Sequence, residues 1–260
     1  MKIREITQAI ETVAPLSLQE DFDNAGIQVG NEQDELRGIL LCTDVTEPIV
    51  EEAIEKGRNL IISHHPLIFH PIKKIAGQTH IERIIALAIK NDISIYCAHT
   101  NMDSAPGGVN HVIAAKMGLT DVTFMDPKEG ENGVNGIGVI GNCTPQKASD
   151  FLKKVKETFG VATLRFSGDT SKVIRRVALC GGAGGFLLNK AIELGADIFV
   201  TADLRYHEFM GHEDTIIIAD IGHYESEHFT KEIFFDIITK KNPNFAVSFA
   251  QTEENQIKYI

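Results

Sequence analysis

The sequence predicts an α/β protein of two similar, interlocked lobes, each a mostly parallel sheet flanked by helices. Three observations carry that expectation. Short aliphatic and β-branched runs alternate with segments of helical periodicity, the pattern of strands joined by crossover helices. The second half of the chain echoes the first: RGILLCTD…AIEKGRNLIISHH, over 37–65, is similar to RRVALCGG…AIELGADIFVTAD, which ends at Asp203. The length, 260 residues, suffices for two domains with cores of their own.

Each element follows from local signals. Ile3, Ile6, Ile10 and Val13 recur at helical spacing, and Pro15 ends that helix. GIQVG (26–30) and GILLCTD (38–44) read as strands. Asp44 or Thr46 can cap the next helix, with Pro48 in its first turn and Gly57 closing it. LIIS (60–63) is a short buried strand running into His64-His65-Pro66. A helix over about 79–91 leads to the strand ISIYCA (93–98) and the loop HTNMDSAPGG. A helix over 108–117 ends at Gly118, and DVTF (121–124) is a strand. The second half opens with the strand GIGVIG, after which Thr144-Pro145 caps a helix that Gly160 ends.

Arg37 matches Arg176 at an offset of 139 and Ala53 matches Ala191 at 138, which a single-residue indel reconciles. SIYCAHTNMDS is similar to IIIADIGHYES, and each precedes a helix and a final strand, DVTF or NFAVSF. The period far exceeds the roughly 50 residues of solenoid repeats, so two related lobes are expected. They are placed at residues 1–130 and 131–260, with GVNGIG as the boundary candidate and the C-terminal segment free to pack back on the first lobe.

Composition narrows the function classes. Apolar residues make up 43% and charged residues 23%, which excludes wholesale disorder. The formal charge is -11 and no basic tract exceeds a pair, so a nucleic-acid partner is not expected. Cys42, Cys97, Cys143 and Cys180 form no CxxC and read as reduced core thiols of a cytoplasmic protein. The N-terminal MKIREITQAIETV lacks a continuous apolar core, so no secretory signal is expected, and no apolar run approaches the roughly 18 residues a membrane span needs, so no membrane role is expected.

The candidate chemistry gathers at strand ends. His64 and His65 follow one β-run; His99 and Asp103 follow another; His207 lies in DLRYHEF; and His223 and Glu227 follow TIIIAD. Ligands of open parallel sheets bind outside the carboxyl ends of the strands. His223 and Glu227 share a face if a helix begins near 223. Singly, each has an ordinary reading: a hydrated loop pair for His64-His65, an N-cap or Asx turn for Asp103, an exposed helix start for His223 and Glu227. Jointly, imidazoles and carboxylates at strand ends make a poor core and a good metal site. The CGGAGG turn (180–185) could hold a phosphate, or serve only tight turning and close helix packing.

Several motifs together, DNAGIQVG, LCTDVT, ISHHP, AHTNMD, CGGAGG, TADLRYHE and GHYESE, resemble those of the NIF-three-like proteins, often catalogued as GTP cyclohydrolase I type 2 homologues. The resemblance spans nearly the whole chain and the short form of the family, since no inserted domain fits between DVTF and GIGVIG; Ala202 stands where the family pattern has glycine. It implies a two-lobed protein with two divalent metal ions in the cleft between the lobes. Their ligands would be His64, His65, Asp103, His223 and Glu227, with His99 and His207 close by as catalytic or substrate groups. It also implies a homohexamer. The mixed nitrogen and oxygen donors suit zinc, iron, manganese, cobalt or nickel. The function so implied is metal-dependent hydrolysis of a small molecule, GTP or a phosphorylated metabolite. The alternative is a non-enzymatic metal-binding regulatory or scaffold oligomer.

Overall fold

The computed structural model describes residues 1–130, 133–243 and 245–260. In chain order the first elements are α1 (Ile3–Val13), β1 (Gly26–Val29), β2 (Ile39–Cys42), α2 (Glu47–Glu55), β3 (Leu60–Ser63), α3 (His80–Lys90), β4 (Ser94–Cys97), α4 (Thr100–Ser104), α5 (Val109–Met117) and β5 (Thr120–Gly130). There follow β6 (Gly133–Lys147), α6 (Ala148–Thr158), β7 (Arg165–Ser167), β8 (Val173–Leu179), α7 (Leu188–Glu193), β9 (Ile198–Thr201), β10 (Ile217–Asp220), α8 (His223–Glu227), α9 (Thr230–Lys241) and β11 (Val247–Phe249).

The chain forms two compact units, Met1–Ala105 with His228–Glu254, and Pro106–Glu227 with Asn255–Ile260. This differs from a division at 130/131. The helix and strand that close each half, α5 with β5 and α9 with β11, each belong to the unit built around the other half. GVNGIG is no linker: it lies in β6, where Gly133 faces Gly130 and Ile137 faces Asp126 of β5. Glu131 and Asn132, where the expected second lobe begins, lie outside the described residues.

The first unit holds a five-stranded sheet in the order β1-β4-β3-β2-β11, parallel except for β1. Every residue of β2, β3 and β4 is buried, as expected of parallel strands covered on both faces. The apolar stripe of α1 buries Ile3, Ile6 and Ile10 completely, each worth about 1.5–3 kcal/mol relative to exposure. The Thr79 side chain caps α3 by accepting from Glu82 N, and the Glu82 carboxylate returns to accept from Gln78 N and Ala76 N.

The second unit holds a mixed six-stranded sheet, β5-β6-β8-β9-β10-β7, whose β8-β9-β10 core is parallel. That core repeats β2-β3-β4, and β7 flanks β10 antiparallel as β1 flanks β4. Ile39 faces Leu60 in the first sheet and Val177 faces Ile198 in the second, an offset of 138 in both strands. Arg175 rather than Arg176 therefore takes the place of Arg37, and this stretch needs no indel. Thr144-Pro145 caps no helix: β6 runs on to Lys147, with a register break against β8 between Asn142 and Gln146 that accommodates the proline. No helix among the described residues is long and apolar enough to cross a membrane. All four cysteines are free thiols.

Candidate functional site

In the first unit the parallel strands deliver histidines at their carboxyl ends. β3 ends in Ser63 and passes directly into His64 and His65; β4 is followed by Ala98, then His99 at the start of α4, which carries Asp103. His64 is completely buried and Asp103 nearly so. His64, His65 and His99 each offer a ring nitrogen within 4.8 Å of the others, a group able to hold a metal ion. Their ring centroids lie 4.9–5.6 Å apart. Asp103 Oδ1 stands 3.7 Å from His64 Nε2, beyond hydrogen-bond length.

Each of these rings is held through Nδ1. His64 Nδ1 lies 3.0 Å from Ala98 O, His65 Nδ1 2.8 Å from Asp44 Oδ1, and His99 Nδ1 2.7 Å from Asp23 Oδ1. A carbonyl or carboxylate oxygen only accepts, so Nδ1 carries a proton in each ring and Nε2 is the nitrogen through which a metal would be held. Such tethering fixes tautomer and orientation in metal-ligating histidines. Asp23 is itself well anchored, accepting from Thr100 N, Thr100 Oγ1 and Asn24 N. Burial pushes its acidity toward the neutral form, but the hydrogen bonds from His99 and Thr100 outweigh burial and hold its pKa at about 2.

The second unit repeats the arrangement. Asp203 follows β9 in a left-handed conformation, φ 58°, and His223 begins α8 just after β10. His223 Nδ1 lies 2.8 Å from Asp203 Oδ2, and its Nε2 lies 3.0 Å from Glu227 Oε2, one helical turn on. Burial opposes a charge on this ring, but the two carboxylates outweigh it and raise its pKa to about 11. The hydrogen bond from His223 lowers that of Asp203 in turn. CGGAGG packs against this pair: Gly182 N donates to Ser226 Oγ, Gly182 O accepts from Ala202 N, and Gly181 N donates to the buried Asn110 side chain.

The strand ends thus gather His64, His65, His99 and Asp103 in one unit and His223 and Glu227 in the other. His207 falls differently. It is exposed in the short turn Tyr206–Phe209 and belongs to no metal-capable group among the described residues. Sequence reasoning missed the three orienting carboxylates, Asp23, Asp44 and Asp203. Asp44 reads locally as a helix cap, yet Thr46 occupies the N-cap position of α2 without a side-chain bond, and Asp44 goes to His65. The available signal was their place in DNAGIQVG, LCTDVT and TADLRYHE, each beside a strand.

Two α/β sheets with tethered imidazoles and carboxylates at the carboxyl ends of parallel strands define a protein equipped to hold metal ions. The chain belongs to the Duf34/NIF3 (NGG1p interacting factor 3) family, whose model matches residues 1–256. It is similar to a Clostridium perfringens protein named GTP cyclohydrolase 1 type 2 homolog, 38% identical over 229 residues, covering 87% of this chain and 87% of that one. Among solved structures, Staphylococcus aureus protein SA1388 superposes with a TM-score of 0.90 at 27% identity, covering 100% of this chain and 99% of that one. A Bacillus cereus protein related to NIF3 gives a TM-score of 0.90 at 25% identity, with the same shares.

Proposed function

We propose that the chain is a metal-dependent hydrolase that holds two divalent metal ions with His64, His65, Asp103, His223 and Glu227. The observation that carries this reading is the tethering of Nδ1 in the three ligand rings, His64, His65 and His223, to an oxygen, which makes Nε2 of each the ligand atom. Five residues would suffice for two ions because the carboxylates of Asp103 and Glu227 each have two oxygens that could ligate. Zinc, iron, manganese, cobalt and nickel all suit this donor set. Bound there, such ions polarise a substrate oxygen and lower the pKa of water.

The rest falls to the chain itself. Ala98 O, Asp44 and Asp203 hold the ligand rings in register. His99, locked by Asp23, is the group that moves a proton beside the cluster. His207, exposed after β9, is kept for contact with the substrate. The substrate class is a nucleotide or phosphorylated small molecule, with GTP first because the relatives carry the name of a GTP cyclohydrolase homolog. The assembly is a homohexamer, and light scattering that gives a monomer at micromolar concentration overturns that part.

Elemental analysis of protein purified without chelator tests the centre. Two ions per chain are expected, and both should be lost in Asp103→Ala; a reloaded wild type without metal sinks the reading. The family's description as an interacting factor favours a second reading, a non-enzymatic metal-binding scaffold. Turnover of GTP or a phosphoester that requires intact ligands separates the two.

A further inference from the structure

Beside the histidine cluster of the first unit, two large aromatic side chains stand in solvent. Phe22 is 66% and Phe69 37% exposed. Their ring centroids lie 6.3 Å apart with the planes at 68°. Phe69 in turn meets His99 edge to face, 6.1 Å between centroids. Leaving Phe22 largely in water forgoes most of the about 1.5–3 kcal/mol that full burial of such a ring contributes, and Phe69 forgoes a smaller part.

The segments that carry the rings are fastened. Asn24 Nδ2 donates to Ile68 O at 2.7 Å, and Ile68 N donates to Gln28 Oε1 at 3.0 Å. Both backbone polar groups of the residue before Phe69 are therefore clamped by side chains from the segment that follows Phe22. The residue after Phe22 is Asp23, locked to His99 and Thr100. The backbone that carries each ring is thus fastened near His99, so a ligand that covers the rings has little main chain to order.

We propose that Phe22 and Phe69 form an aromatic platform for the planar heteroaromatic ring of a ligand, a ring of purine size stacked on one phenyl and met by the other at its edge, whose polar part reaches the histidine cluster. The occupant is a small molecule because two exposed rings fall far short of the roughly 800 Å² per partner that a stable protein interface buries. Stacking accepts any flat π-system, so the platform recognises a nucleobase by its face. The inference rests on the proposed function only for what the metal centre does with the polar part; the platform itself needs no metal.

The chain has no tryptophan, so Phe22→Trp introduces a single indole reporter at an exposed position. Titration with GMP is expected to quench its fluorescence, whereas ribose 5-phosphate is not. Adding Phe69→Ala to this variant should weaken GMP roughly 5- to 150-fold, the effect of losing one stacked ring, and leave bound metal unchanged. The same titration with guanosine in chelator-treated protein should still quench. Failure of the metal-dependent reading then shows as absent metal with quenching retained. Failure of the platform shows as equal response to GMP and ribose 5-phosphate, or as a GMP affinity indifferent to Phe69→Ala. A change of oligomeric size in Phe22→Ala/Phe69→Ala would also overturn it, by making the patch an interface between copies of the chain.

Discussion

Gly182 sets the tightness of the second cluster. Its φ is +59°, and a Cβ there would lie 2.3 Å from Glu227 Oε1 and 3.3 Å from His223 Cε1. Gly182→Ala therefore strains the backbone and displaces the Glu227 carboxylate. A stability loss of about 1–3 kcal/mol is expected. Metal affinity should fall about 10- to 100-fold, as when a group supporting metal ligands is removed. Thermal unfolding of the metal-free protein and a metal titration measure the two effects separately. The neighbouring His223 makes a pH prediction. Its folded pKa of about 11 exceeds the ordinary value of 6.5, so its contribution in the metal-free protein is complete below about 6.5. That contribution is lost as pH rises through about 11. A metal ion ligated by Nε2 must displace its proton, so loading at pH 8 should release about one proton more in wild type than in His223→Asn. Calorimetry in buffers of different ionisation enthalpy counts it; equal release by the two proteins would remove His223 from the ligand set.

At the scale of elements, Glu52 of α2 fastens the chain after β11. Its carboxylate accepts from Gln251 N, Thr252 N, Thr252 Oγ1 and Lys56 Nζ. Burial raises its pKa, but the hydrogen bonds from Lys56, Gln251 and Thr252 outweigh it and bring the value to about 2. The stabilisation is present above the ordinary value of 4.5 and is lost as pH falls through about 2. Glu52→Gln should cost about 1.5–3 kcal/mol at pH 7, the range for hydrogen bonds to a charged group. Its urea midpoint should converge on that of wild type at strongly acidic pH; a constant gap across pH would mean the carboxylate charge plays no part. The elements show where local signals suffice. α3 and α5 lie within a residue or two of their expected bounds because the Thr79 cap and the left-handed Gly118 act within a single turn. Thr144-Pro145 misleads because pairing of β6 with β8, more than 25 residues away in sequence, overrides a local capping signal.

At the scale of the molecule, each half lends its last helix and strand to the other unit. β11 pairs with β2, so a fragment of residues 1–130 leaves the β2 edge open and lacks the helix α9. Neither 1–130 nor 131–260 is expected to give a cooperative unfolding transition alone, and their coexpression should restore one. Independent folding of either fragment, judged by denaturant melts and amide dispersion, would contradict the exchange. The internal repeat was legible because β2-β3 and β8-β9 share a hydrophobic pattern and a register at one offset. The exchange was not, since periodicity says that a strand forms and not which sheet receives it.

The sequence by itself determined the residue types of the site and their place after strands: His64 and His65 behind LIIS, His99 and Asp103 behind SIYC, His223 and Glu227 one helical turn apart behind IIAD. These follow from short-range rules, the period of two or 3.6 and the termination of strands. Tertiary structure alone decided which oxygen holds each imidazole. Asp23 reaches His99 across 76 positions, Asp44 reaches His65 across 21, and Asp203 reaches His223 across 20. It also decided that His207 stays in solvent while His99 joins His64 and His65. The physical reason is that a hydrogen bond or a ligand cluster depends on distance in space, and strands brought side by side by sheet pairing set that distance, whatever their separation along the chain.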